Sequence, residues 1–240
     1  MIMQQLARAN LEADHIERLF VSHAHGDHVL GFPMLLLNRM GAPAPLHVYA
    51  SVGTCASLRA LWDLVYPGFA PSRLNVRWHE LSERGSDRSR VGDAASLPSV
   101  WGGDVGERSS HVVLRTVIVP HPPDTPTLAA RWDFAGGTSI TFATDTFPNA
   151  ATVKLAQGSD LLVHEASFSA VLQPDTDPGE HFHSTAQQAG EIARQAECPC
   201  LALVHLGPQI GTQPELLVEE ARADTDLQVI VPEDGERIRV

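Results

Sequence analysis

Within "VSHAHGDHVLG", at residues 21–31, three histidines and an aspartate stand in six positions: His23, His25, Asp27 and His28. Imidazole and carboxylate together suit zinc, and also manganese or iron. In an extended chain, side chains two apart point the same way, so His23 and His25 can reach one metal together. Asp27 and His28 fall at the start of the next helix and point toward a neighbouring position. Gly26 lets the turn between the pairs be tight. Two metals need further donors. His121 follows "VLRTVIVP", Asp145 follows "SITFAT", and His205 follows "LALV". Strand ends at one rim of a sheet converge, so residues far apart in sequence can meet there. A shared carboxylate can hold two cations about 3.5–4 Å apart, a spacing suited to in-line attack on phosphate or ester centres. Taken singly, His23 could be a polar strand end, Asp27 a helix cap, His121 a loop histidine and Asp145 a turn residue. As a set they are hard to explain that way.

The elements around these residues alternate. The first dozen residues predict a short helix, "ERLFVSH" a buried strand, and residues 27–41 one helix with Asp27 at its N-cap and Gly41 at its stop. "LHVYAS" and "LNVRWHEL" read as strands around a helix in "GTCASLRALWDLVYPG". Residues 82–109, rich in Gly, Ser, Asp and Arg, read as a long mobile loop. "HVVLRTVIVPH" is a long strand, and "TLAARWDF", "AGG" and "TSITFATD" form a hairpin. "ATVKLAQG" is a short helix and "DLLVHEASF" a strand. "STAQQAGEIARQA" is a helix with Ser184 as cap and Gln187 three residues on. A strand, a helix in "PELLVEEARA" and a last strand, "LQVIVP", complete a mixed α/β layer fold.

The ordered set resembles the metallo-β-lactamase superfamily, in particular its tRNase Z-like hydrolases and phosphodiesterases. "LFVSHAHGDHVLGFPMLL" is similar to the first metal motif of that branch. "FATDT", "DLLVHEASF", "HFHSTAQQAGEIARQA" and "LALVHLGP" are similar to its later motifs, in family order. The resemblance covers about residue 11 to 240 and implies a single αββα sandwich domain over 1–240. It implies two divalent metal ions, zinc first, with manganese or iron as alternatives. One metal would take His23, His25, His121 and Asp145; the other Asp27, His28, His205 and the shared Asp145. Asp27 would also orient or deprotonate the attacking water. His183 would serve the leaving group, with Glu165 as its partner; His181, two residues away, could take that place instead. His164 reads as a structural histidine. The resemblance does not extend to the redox members of the superfamily, in which Glu stands at the place of His25.

Two departures from the family pattern matter. Only a short helix precedes "LFVSHAHGDH", so the usual N-terminal strands are missing from the expected sheet. An exposed sheet edge invites pairing, which gives the expectation of a homodimer. The stretch between His121 and Asp145 is also too short for the tRNA-gripping arm. The net charge is −12, without the basic stripe of a strong nucleic-acid binder. The expected activity is therefore hydrolysis of phosphodiester bonds, ribonuclease Z-like but armless, on a small phosphodiester or RNA. Hydrolysis of non-phosphate esters or lactones, or a non-catalytic metal-binding relative, are the alternatives. No apolar run is long enough for a bilayer, since Asn38 and Arg39 end the longest. The N-terminus lacks a signal-peptide core. Three cysteines without Cys-x-x-Cys spacing fit a reducing, cytoplasmic setting.

Overall fold

The structure is a computed structural model and describes residues 2–69, 74–82, 95–98 and 111–240. The chain forms two compact units. The first comprises Met1–Arg84 with Asp124–Pro126 and Glu233–Ile238; the second comprises Gly85–Pro123, Thr127–Pro232 and Arg239–Val240.

The first unit runs α1 (Ile2–Arg8), β1 (Arg18–Phe20), α2 (Gly26–Val29), α3 (Phe32–Asn38), β2 (Leu46–Ser51), α4 (Val52–Val65) and β3 (Val76–Leu81). Its strands form a parallel sheet in the order β1-β2-β3. Parallel neighbours need crossovers, and the helices supply them. Leu46, Val48 and Ala50 of β2 pack with Leu35 and Leu36 of α3 and with Leu58 and Trp62 of α4. Ser51 starts α4 by accepting the Thr54 N–H at 3.1 Å. Arg39 ties the loops together by donating to the carbonyls of Ala13, Asp14 and Ala44 at 2.8–2.9 Å.

The single helix expected over 27–41 is instead two. Pro33, in the first turn of α3, has no N–H to continue the ladder from α2. Asp27 lies inside the first turn of α2, and His25 occupies the N-cap. Gly41, at φ +88°, takes the left-handed conformation after the helix.

On this sheet His47, Tyr49 and His79 form a ring stack. His79 lies 4.3 Å from Tyr49 and 5.1 Å from His47, both nearly parallel. His47 Nδ1 and His79 Nε2 meet at 2.8 Å, so one donates and the other must be unprotonated there. Burial, then the neighbouring His79, Arg18 and Arg77, hold the His47 pKa below its ordinary value, against a weaker pull from Glu17. Burial and then Arg77 do the same to His79. A pKa depressed on folding means that the unfolded chain binds more protons in mild acid. The pair's contribution is therefore complete above about pH 6.5 and is lost as pH falls through the folded values. The melting temperature should fall between pH 7 and pH 5, with a shallower slope in His79→Gln. Equal slopes in a pH series of melting curves would contradict this.

The second unit runs β4 (Ala95–Pro98), β5 (His111–Val119), β6 (Thr127–Phe134), β7 (Ser139–Ala143), α5 (Ala150–Ala156), β8 (Leu161–Glu165), α6 (Ala186–Gln195), β9 (Cys200–Val204), α7 (Pro214–Arg222) and β10 (Gln228–Ile230). Its seven-stranded sheet has the order β10-β9-β8-β7-β6-β5-β4. The β4 to β7 side is antiparallel and the β7 to β10 side parallel. The long loop expected over 82–109 is thus interrupted by β4, which pairs with β5; residues 83–94 and 99–109 lie outside the described residues. Leu162, Leu201 and Leu203 pack against Ala189, Ile192 and Ala193 of α6 and Leu217 and Ala221 of α7. Gly190 permits that approach, because a Cβ there would sit 2.0 Å from the Ala221 carbonyl oxygen.

The cap of α6 is Thr185, one residue after the expected Ser184. Thr185 accepts the Gln188 N–H at 3.1 Å, and the Gln188 side chain accepts the Thr185 N–H at 2.9 Å. The shift leaves Ser184 to donate to the Thr146 carbonyl at 2.7 Å. None of the three cysteines is in a disulfide, and burial pushes the Cys198 thiol up to about 11. No helix among the described residues is long and apolar enough to cross a membrane.

Candidate metal centre

In the second unit, chemistry-bearing side chains leave one rim of the sheet. β5 and β7 both run antiparallel to β6, so their ends share an edge with those of β8 and β9. His121 follows β5, Asp145 follows β7, Glu165 ends β8 and His205 follows β9. Asp145 and His205 hold left-handed backbones, at φ +56° and +51°. Such conformations cost about 1–3 kcal/mol each outside glycine and persist where the surroundings demand a particular aim.

That aim is specific. His205 Nε2 faces Asp145 Oδ1 at 3.4 Å, and His121 Nε2 faces Asp145 Oδ2 at 3.9 Å. Each carboxylate oxygen thus looks toward a different histidine. His121 is oriented by its other nitrogen, which lies 3.4 Å from the Phe182 carbonyl.

Next to this group stands a tight pair. His183 Nδ1 lies 2.7 Å from Glu165 Oε1. Glu165 also accepts the backbone N–H groups of Thr146 at 2.8 Å and Ser167 at 3.0 Å. Burial is the largest single influence on its carboxyl and works against the charge. The His183 hydrogen bond and charge, His164 and Ser167 together outweigh it and hold the pKa below the usual value. The His183 ring stacks on that of His205 at 5.6 Å and meets His121 edge-on at 5.3 Å. His181 packs instead on Phe168, so of the two candidates His183 is the one paired with Glu165. His164 is fully buried and hydrogen bonded to the Glu165 carbonyl at 2.8 Å, a structural place as expected.

In the first unit the His-x-His-x-Asp-His stretch gathers its own side chains. The His23 ring lies 4.6 Å from that of His25 and 4.1 Å from that of His28. His23 is fully buried, with Nδ1 3.0 Å from Ser22 Oγ. His25 Nε2 lies 3.4 Å from Thr125 Oγ1. His28 Nε2 lies 3.3 Å from Asp27 Oδ2. Asp27 is the most exposed of the four.

The family model of the beta-lactamase superfamily domain matches residues 2–206. The chain belongs to that superfamily. Within it, the ribonuclease Z of Haloarcula marismortui is 30% identical, over 94% of this chain and 80% of its own length. The solved short form of human tRNase Z aligns with a TM-score of 0.69 at 22% identity, covering 98% of this chain and 83% of that one. A metallo-β-lactamase fold protein from Bacillus subtilis aligns with a TM-score of 0.65 at 20% identity, covering 93% and 78%. The chain therefore has the metallo-β-lactamase fold and is a ribonuclease Z-like superfamily member.

For a superfamily member one further residue stands out that the motif reading passed over. Ser167 Oγ lies 3.0 Å from His205 Nδ1, 3.3 Å from His183 Nδ1 and 3.1 Å from the His205 carbonyl oxygen. Its position two residues after Glu165, at the end of "HEAS", was the only signal in the sequence.

Proposed function

We propose that this chain is a metal-dependent hydrolase of phosphodiester bonds, ribonuclease Z-like, using two divalent ions, zinc first. The observation that carries this reading is Asp145, whose two oxygens each face a different histidine of the same sheet rim. Two donors that share one zinc, each about 2.0–2.2 Å from it, lie about 3–3.5 Å apart. The 3.4 Å between His205 and Asp145 fits that arrangement. In this reading His23, His25, His121 and Asp145 hold one ion, and Asp27, His28, His205 and Asp145 the other. Bound there, the ions supply Lewis acidity toward a phosphoryl oxygen and toward the attacking water. The ribonuclease Z relative supports phosphodiesters as the substrate class. The β6–β7 hairpin takes up the chain between His121 and Asp145, which favours a small phosphodiester or short RNA.

The protein's own groups then have separate tasks. Asp27 orients or deprotonates the attacking water. Glu165 accepts the His183 Nδ1–H, and in the doubly protonated ring the second proton, on Nε2, is the one given to the departing oxygen. A His205 that ligates through Nε2 carries its proton on Nδ1 and donates it to Ser167 Oγ; the Ser167 hydroxyl in turn donates to the His205 carbonyl. Ser167→Ala should weaken metal binding by about 10–100-fold, and Ser167→Thr should restore it. Competition with a fluorescent chelator reads this directly; equal affinity in all three proteins would remove the role.

The test of the function is one purification without added metal. Metal is counted per chain, and bis(p-nitrophenyl) phosphate is assayed with zinc and with manganese. About two metals per chain, with turnover lost on chelation, is the expected result. Turnover of carboxylic esters alone would replace the phosphodiester reading, and a metal-loaded protein inert toward both would end the enzyme reading. β1 is an edge strand among the described residues. A homodimer paired along it belongs to this proposal, and a monomer in sedimentation equilibrium would exclude it.

A further inference from the structure

Behind the Glu165–His183 pair the chain forms a small clamp with two arms. One arm runs from Glu165 through Ser167 to Ala170; the other runs from His183 into the first turn of α6. Two backbone bonds join them. The Phe168 N–H donates to the Ser184 carbonyl and the Ala186 N–H to the Phe168 carbonyl, both at 3.1 Å. At the near end of this bridge stand the reacting groups, with Ser167 Oγ 3.3 Å from His183 Nδ1. At the far end both arms meet one carboxylate from a third element, Glu220 of α7. Glu220 Oε1 accepts the Ala170 N–H at 2.8 Å and the Gln187 N–H at 3.1 Å. Its Oε2 accepts the Ser169 hydroxyl at 2.5 Å. Ser169 is fully buried, and its oxygen in turn accepts the Leu172 N–H at 3.1 Å.

We propose that Glu220 is a positioning residue. By closing the far end of the clamp it fixes how Ser167 and His183 stand at the near end, and with them the aim of His205 and of the Glu165–His183 pair. This rests on the metal-hydrolase reading and adds to it a control point on a helix that supplies no proposed ligand. A carboxylate suits the task. A charged acceptor makes each bond about twice as strong as a neutral pair. The Gln187 N–H is among the first of α6, which have no partner inside the helix, and the positive end of a helix favours an anion. The reach of Glu220 is set by packing. Gly190 lies three residues beyond Gln187 on the same face of α6 and admits the backbone of Ala221, the residue after Glu220.

Zinc affinity, read by competition with a fluorescent chelator, tests this without turnover. Glu220→Ala should weaken zinc binding about tenfold, the lower end of the range for partners of metal-bound histidines, because Ser167 is no longer held against His205. Glu220→Gln should recover most of the loss, since its amide oxygen can accept the same two N–H groups. The double variant Ser167→Ala with Glu220→Ala should bind zinc no more weakly than Ser167→Ala alone, because the two changes act on one path. Melting curves establish that each variant is folded at the assay temperature. Should Glu220→Ala not fold, Ser169→Ala removes one of the three bonds and should shift the affinity in the same direction. In kinetics, kcat should fall more for an alkyl phosphodiester than for bis(p-nitrophenyl) phosphate, with KM unchanged, since the alkyl leaving group depends on His183. An unchanged zinc affinity in folded Glu220→Ala, or a loss that adds in full to that of Ser167→Ala, would overturn the proposal and leave Glu220 a staple between two helices. An equal loss on both diesters would overturn the link to His183. A wild type that binds zinc but hydrolyses neither diester would remove the phosphodiester reading, while the zinc measurements would still decide the role of Glu220. A wild type that binds no zinc would end both.

Discussion

Asp145→Ala should lower turnover by about a thousandfold or more and leave less than one tightly held metal per chain. Metal Lewis acidity contributes several kcal/mol to such reactions, and each 1.36 kcal/mol is tenfold in rate. Asp145 is the one proposed ligand common to both ions, so its loss removes a donor from each. Its side chain is 3% exposed, with one oxygen toward His121 and the other toward His205. Asp145→Asn is the sharper version of the test. It keeps the shape, and asparagine tolerates the left-handed backbone at φ +56°, so the fold should survive. The charge that draws two cations together is gone. Metal analysis and diester kinetics on the same preparations check both effects. A variant that keeps two metals and wild-type turnover would show that Asp145 bridges nothing.

His183→Ala should cut turnover by about 10²–10⁴ while the metal count stays unchanged. The reason for the split is geometric: His183 Nδ1 is held by Glu165, and His183 is not among the proposed ligands of either ion. A proton donor matters most when the departing oxygen is strongly basic. The loss should therefore be larger for an alkyl phosphodiester than for a p-nitrophenyl one, whose leaving group departs readily without help. Glu165→Gln should move activity in the same direction. Glu165→Ala should in addition destabilise the fold, because the Thr146 and Ser167 N–H groups lose their acceptor at about 1–3 kcal/mol each. An equal loss on both diesters, or metal released from His183→Ala, would assign His183 a different task.

The strands that carry His121, Asp145 and His205 were legible because each is an apolar run that ends abruptly in a metal-binding residue. The histidine stretch was legible from residue type alone. Local register was not. One cap-forming hydroxyl follows another at Ser184 and Thr185, and only the Ser184 bond to Thr146, far along the chain, decides which of them caps α6. The break between α2 and α3 was visible in Pro33, but the apolar run around it reads as continuous helix. β4 has four residues and gains its strand character by pairing with β5, a contact that its own composition does not announce. Ser167 and Phe168 lie on a loop and His181 ends the four-residue 3-10 helix Pro178–His181, none of them long enough to show periodicity. Their roles come from tertiary contacts, as does the distinction between His181 and His183. The left-handed backbones at Asp145 and His205 fall on residue types that visit that region more readily than most, but neither has a neighbouring glycine or turn pair that announces it.

The proposed donors differ in how far apart they lie along the chain. His121, Asp145 and His205 meet only after distant strands have paired, so an unfolded chain cannot present them together. His23, His25, Asp27 and His28 are near neighbours in any conformation and can seize an ion before any sheet exists. A ligand stabilises a protein only to the extent that it prefers the native over the denatured ensemble. Zinc should accordingly raise the melting temperature by less than its native affinity implies. A chain refolding in zinc would begin with an ion already in place on one short stretch, waiting for the remaining donors to arrive with the slow, long-range strands.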